Sequence, residues 1–133
     1  MRPKFKPTLL ASRDIVQKSF DFSLSLIEFY IFLIKNNQLE FSERLLKSGT
    51  NIRENVEQSI KANSKQEFIS KISLASKDAI ETRYWLKEIQ MKFISSNSCD
   101  TCVEQINEII NILNYITQSN CDSEVKLNIE YLN

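Results

Sequence analysis

Apolar residues recur at steps of three and four along most of this chain, and the phase of each run marks off four helices. The plainest run is Phe68, Ile72, Ala75, Ala79, Thr82, Leu86, Ile89 and Phe93. Its 3.5-residue period is the seam of a helix bundle or coiled coil, and it predicts a helix over about 64–94. A second helix, over about 39–62, would bury Leu45, Gly49, Ile52, Val56 and Ile60. A fourth, over about 101–119, has Val103, Ile106, Ile110 and Leu113 as its seam, flanked by Ile109, Ile112 and Ile116. Ser64 with Glu67, and Thr101 with Glu104, have the spacing of a capping box, in which each partner satisfies an otherwise unpaired amide of the first turn. Ser12 would cap the first helix, with Asp14 against the positive end of its dipole. The connection between the first two helices is Lys35-Asn36-Asn37-Gln38.

The first helix, over about 12–35, carries two apolar stripes. Val16, Phe20, Leu24, Ile27, Ile31 and Ile34 form one; Ile15, Phe22, Leu26, Phe29 and Leu33 form another, roughly 130° away at 100° per residue. A helix on the outside of a small bundle needs one stripe. Two imply that the helix is covered on both sides: either it is central in the monomer, which a bundle this small hardly permits, or its second face meets another subunit, and a homo-oligomer is the expectation. Phe22, Leu26, Phe29 and Leu33 are taken as the face that meets another subunit.

Outside the helices, residues 1–11 form a basic arm with Arg2, Lys4 and Lys6 spaced by Pro3 and Pro7. Residues 120–133 form a C-terminal tail whose Val125–Leu132 segment alternates apolar and polar positions with period two. Three readings of it stay open: an extended tail pairing across subunits, an extension of the fourth helix, or disorder. The single glycine, Gly49, stands inside a helical pattern. There it costs about 1 kcal/mol relative to alanine, a cost expected where Ser48 and Gly49 let a neighbouring helix come close.

Composition narrows the chemistry. The 133 residues contain 17 basic and 17 acidic side chains and no histidine, which removes the commonest general base and metal ligand together. The charge is split, with a net of +5 over residues 1–92 and −5 over the remainder. A basic body is compatible with a nucleic-acid surface, and opposite halves with charge-matched subunits. The most apolar run, Phe20 to Ile34, is too short to span a bilayer and contains Asp21 and Glu28. With no secretory leader pattern at the start, the expected location is the cytoplasm and no membrane partner is expected.

Each chemical candidate has a plain alternative. Cys99 and Cys102 form a CxxC at a helix start, where the dipole would lower a thiol pKa. No strand precedes it as in a thioredoxin-like site, and with Cys121 far along the helix no metal set is complete; the three cysteines are read as structural. Asp78 and Glu81 are not read as a catalytic pair; Glu81 is read as a polar contact between helices, toward Asn55. Arg44, Lys47, Lys61, Lys77, Arg83 and Lys87 are the candidates for holding phosphate, which asks only for positive charge at suitable spacing. Tyr84 and Trp85 point about 100° apart, so one can be core and the other at an interface. No cofactor or metal is expected.

The central stretch also resembles a known family. Ser48-Gly49-Thr50-Asn51-Ile52 with Asn55-Val56, then Ser64 to Lys71, then Ala75-Ser76-Lys77-Asp78-Ala79-Ile80-Glu81-Thr82-Arg83-Tyr84-Trp85-Leu86 are similar to the motifs of small four-helix bundle proteins associated with intervening sequences in 23S ribosomal RNA genes. The resemblance implies an all-α, left-handed, up-and-down four-helix bundle and a homo-oligomer, a pentamer being known for the family. It marks Ser48, Gly49, Asn55, Glu81, Thr82, Tyr84 and Trp85 as motif positions with structural roles. The family is similar in turn to accessory proteins of diversity-generating retroelements, which bind nucleic acid and a reverse transcriptase. Arg53-Glu54 departs from the family's small residues and puts a cation at the edge of the second seam. The function expected is that of a non-enzymatic adaptor bound to the backbone of RNA or DNA; the alternative is a protein-interaction scaffold without nucleic acid.

Overall fold

The computed structural model describes residues 9–92 and 96–132, with side chains described from Arg13 to Ser119 within those spans. They form four helices: α1 (Leu9–Lys35), α2 (Leu39–Ile60), α3 (Lys65–Lys92) and α4 (Asn97–Leu132). Consecutive helices are neighbours and α1 closes on α4, while no Cα of α1 comes within 8 Å of one in α3. The architecture is a four-helix bundle with α1 diagonal to α3, and the described residues contain no strand.

Local chemistry explains the helix ends. Asn37 adopts a left-handed φ of 59°. It closes α1 in a Schellman motif, with Gln38 N–H donating to the Leu33 carbonyl at 2.8 Å and Asn37 N–H to that of Ile34 at 3.1 Å. Ser64 caps α3 as expected, with Glu67 N–H donating to Ser64 Oγ at 3.0 Å, while the Glu67 carboxylate accepts from Asn63 N–H at 3.2 Å, one residue before the cap, rather than from Ser64 itself.

Two boundaries differ from expectation. Helix α1 begins three residues ahead of Ser12, whose expected capping role is lost inside the helix. Helix α4 begins at Asn97, because Ser96 supplies the cap by accepting from Cys99 N–H at 3.1 Å. Thr101, expected as the cap, lies within the helix and donates to the Asn97 carbonyl. The tail takes the helical one of its three readings, since α4 continues to Leu132. The basic arm, except for its last three residues in α1, lies outside the described residues.

Core assignment corrects the reading of α1. Ile15, Phe22, Leu26, Phe29 and Leu33 are buried inside this bundle, none more than 2% exposed. They are therefore core, not the subunit-facing set. The other stripe stays open: Val16, Phe20, Leu24, Ile27, Ile31 and Ile34 are 37–50% exposed. Spacing shows that two stripes exist, but which one turns inward depends on where α2 and α4 pack. In α2 the 3.5 period continues through buried Ser59 and leaves Ile60 outside. In α4 the innermost line is Cys99, Cys102, Ile106, Ile109, Leu113 and Ile116.

Small residues let the helices approach. Ser19, Ser23, Ser42, Ser48 and Ser59 are buried, each hydroxyl donating to the carbonyl three residues earlier. Gly49 is the tightest point: a Cβ there would collide with Leu26 Cδ2 and lie 3.6 Å from Phe22 Cε2. A side chain at this position would therefore have to displace the buried Leu26 side chain.

A double-mutant cycle tests this crossing. Gly49→Val should destabilise by about 2 kcal/mol or more, through overpacking and lower helix propensity. Leu26→Ala alone should cost about 2–5 kcal/mol for its cavity. Urea unfolding of the double variant should show a coupling of at least about 1 kcal/mol, since the valine then fills the space that leucine vacates. Simple additivity would mean that the two residues do not meet.

Candidate nucleic-acid interface

Arg44, Lys47, Ser48 and Asn51 follow one another at steps of three, one and three on α2, and so share a face over two turns. With Glu81 from α3 they line a groove of about 260 Å³. Its floor is the contact between α2 and α3, where Thr82 Oγ1 lies 2.8 Å from Ser48 Oγ and 2.7 Å from the Asp78 carbonyl oxygen. Both hydroxyls are buried. The motif halves Ser48-Gly49-Thr50 and Glu81-Thr82 are joined by this contact.

An aromatic cluster holds one wall in place. Trp85 packs against Phe41 from α2 at 5.5 Å between ring centroids, and Tyr84 meets it edge-on at 5.0 Å. The Arg44 guanidinium sits 5.3 Å from the Trp85 centroid, and Lys92 Nζ lies 4.8 Å from that of Phe41. A cation over an aromatic face is attracted by the ring quadrupole and loses side-chain freedom. Tyr84 is the outward member, 55% exposed.

Only part of the expected basic set converges. Arg44 and Lys47 share the groove. Lys61 follows the end of α2, about 25 Å along the helix from Arg44 at 1.5 Å per residue. Arg83 turns toward α4 and donates to Asn107 Oδ1 at 3.4 Å. Lys77 and Lys87 are exposed on α3. Sequence inspection missed Phe41 and Lys92, whose spacing gives no hint that they meet across two helices.

The acidic pair also resolves differently. Asn55 Nδ2 donates to Asp78 Oδ2 at 2.9 Å, so Asp78 makes the interhelical contact expected of Glu81. Burial pushes the Asp78 carboxyl up, the Asn55 hydrogen bond holds it down in part, and the Glu81 charge adds to the rise. Glu81 itself is exposed at the groove rim.

Cys99 and Cys102 are free thiols in the core. The expected dipole effect is overridden: burial pushes Cys99 up to about 11 and Cys102 up to about 12. Nearby negative charge, Asp100 for Cys99 and mainly the Cys99 thiolate for Cys102, adds to the rise. Cys121 lies outside the residues whose side chains are described. Among the described residues, no three Cys, Asp or Glu side chains gather as a metal site, and no helix is long and apolar enough to cross a membrane.

A family model for the 23S rRNA-intervening sequence protein matches residues 12–115. Among solved structures, the chain is similar to a protein of unknown function from the S23 ribosomal protein family of Bacteroides thetaiotaomicron, with 28% identity and a TM-score of 0.76. The match covers 82% of this chain and 99% of that one. No curated protein matches.

The thiols give a pH test with a definite sign. A thiol pKa raised by folding favours the native state while both states are protonated. That contribution is complete below about pH 8.5 and is lost as pH rises toward 11. In a Cys121→Ser background, stability should fall more steeply above pH 8.5 than in the same chain with Cys99→Ala and Cys102→Ala. A disulfide-exchange reagent at pH 8 should label the two core thiols only at the rate of unfolding. Immediate labelling would show them to be accessible.

Proposed function

The chain belongs to the 23S rRNA-intervening sequence protein family, and we propose that it acts as a non-enzymatic, homo-oligomeric adaptor bound to nucleic-acid backbone. The observation that carries the nucleic-acid part is the placement of Arg44 and Lys47 on one open groove, with Arg44 fixed over Trp85. Phosphate contact needs cations held at a surface and little else. Lys77, Lys87 and Lys92 add positive charge along α3.

The exposed stripe of α1 supports self-association. Six large apolar side chains in one line are more than scattered surface residues, and contiguous apolar patches mark interaction sites. Arg53, over the Phe20 ring at 4.8 Å and paired with Glu57, covers one edge of that stripe without closing it. The groove is lined from α2 and α3, so a subunit contact made by the exposed α1 stripe uses none of its lining residues. The family's known pentamer is the assembly we propose. The absence of histidine and the protonated, buried thiols support a role without catalysis.

A protein-interaction scaffold is the second reading, favoured by the same α1 stripe if its occupant is another protein. Ionic strength separates the two. Light scattering of the protein with a mixed pool of structured RNA and duplex DNA at 50 mM salt should show added mass. Raising salt to 200 mM should weaken binding roughly tenfold or more, because released counterions drive phosphate contacts. An unchanged mass at low salt would remove the nucleic-acid reading and leave the scaffold.

A further inference from the structure

We infer that the α2–α3 groove is a single-nucleotide subsite for unpaired nucleic acid, with a phosphate held by Arg44 and Lys47 and its base stacked on Tyr84. The inference rests on the adaptor reading and says which form of nucleic acid this face selects.

Three observations point to a nucleotide rather than to general backbone attraction. Only two of the six candidate cations converge: Lys61 lies a helix length away, Arg83 faces α4, and Lys77 and Lys87 stand on α3 outside the groove lining. Two converging cations hold one phosphate, and a guanidinium laid over a ring is pre-oriented for it. The groove, at about 260 Å³, lies below the usual range for whole-ligand pockets. It suits a phosphate and sugar and leaves the base outside.

Tyr84 is where the base would lie. Its ring is braced against Trp85 at an interplanar angle of 75°, yet it is 55% exposed. A rigid, open aromatic surface beside a cationic groove is how proteins hold single strands, because every base has a face to stack. In a duplex that face is occupied by the neighbouring base pair. Asn51 and Glu81, also on the groove, offer amide and carboxylate groups to a sugar hydroxyl or base edge. Glu81 also opposes a bound phosphate, so affinity should rise when its charge is removed.

The only tryptophan in the chain is Trp85, which touches both halves of the subsite and reports on it directly. The experiment is a fluorescence titration of the full chain at low salt with ten-residue oligo(U), oligo(dT) and a duplex of equal length. The single strands should quench Trp85 saturably and bind roughly tenfold more tightly than the duplex. Tyr84→Ala should weaken single-strand binding roughly tenfold, Tyr84→Phe should restore it, and Glu81→Gln should tighten it. Tyr84 is exposed, so these variants should keep the wild-type helical signal. Preference for oligo(U) over oligo(dT) would place a ribose hydroxyl in the groove, and equal binding would limit recognition to phosphate and base; both support the subsite. Equal affinity for duplex and single strand with no effect of Tyr84→Ala would overturn it while leaving the backbone adaptor standing. No binding by any of the three would remove both.

Discussion

A helix at one corner of a four-helix square can turn one face to its two neighbours and the diagonal, and α1 carries two apolar faces. The rest of the molecule follows from how that conflict is resolved. The face with Ile15, Phe22, Leu26, Phe29 and Leu33 goes inward, where Gly49 and the buried serines of α2 let it come close. The face with Phe20, Leu24, Ile27 and Ile31 is left in water. Burying an aliphatic side chain is worth about 1.5–3 kcal/mol, so a line of six held half-open is a large unspent driving force. In a protein that works as a monomer, polar residues would cost nothing there.

The motif shared with the family is chiefly a device for joining α2 to α3. Gly49 admits α1 on one side, and Ser48 meets Thr82 on the other. Asn55 secures Asp78 two turns further along. Trp85 completes the contact, with Phe41 beside it and Arg44 above. In the proposed adaptor, structural and binding roles are therefore not separate. The packing that fixes Trp85 also fixes Arg44, and the serine–threonine contact forms the floor of the groove. A site built on rigid helices in this way needs no moving loop.

Period was the part most legible in the sequence. The α3 seam from Phe68 to Ile89 is buried as its spacing implies, and the cap at Ser64 is where the residues put it. Position 49 was legible too, because a glycine inside a helix needs a reason. At α4, Cys99 and Cys102, read as structural rather than as a redox or metal pair, lie in the core on the same 3.5 period as Ile106 and Ile109. Orientation was not legible at all. Which stripe of α1 turns inward depends on contacts with α2 and α4, and local spacing is the same either way. The groove was half visible, since Arg44 and Lys47 stood out as cations. Their link to Trp85, Phe41 and Lys92 crosses helices and leaves no local trace.

The proposed assembly rests on the outer face of α1 as its subunit interface. Its most direct test is the solution mass of the wild type beside that of Ile27→Glu/Ile31→Glu, two changes on exposed positions that leave the core untouched. The account requires a wild type near five times 15.5 kDa, and a variant that falls to the single-chain mass with its helical content unchanged. A wild type already at the single-chain mass, or a variant that keeps the assembly, would contradict it.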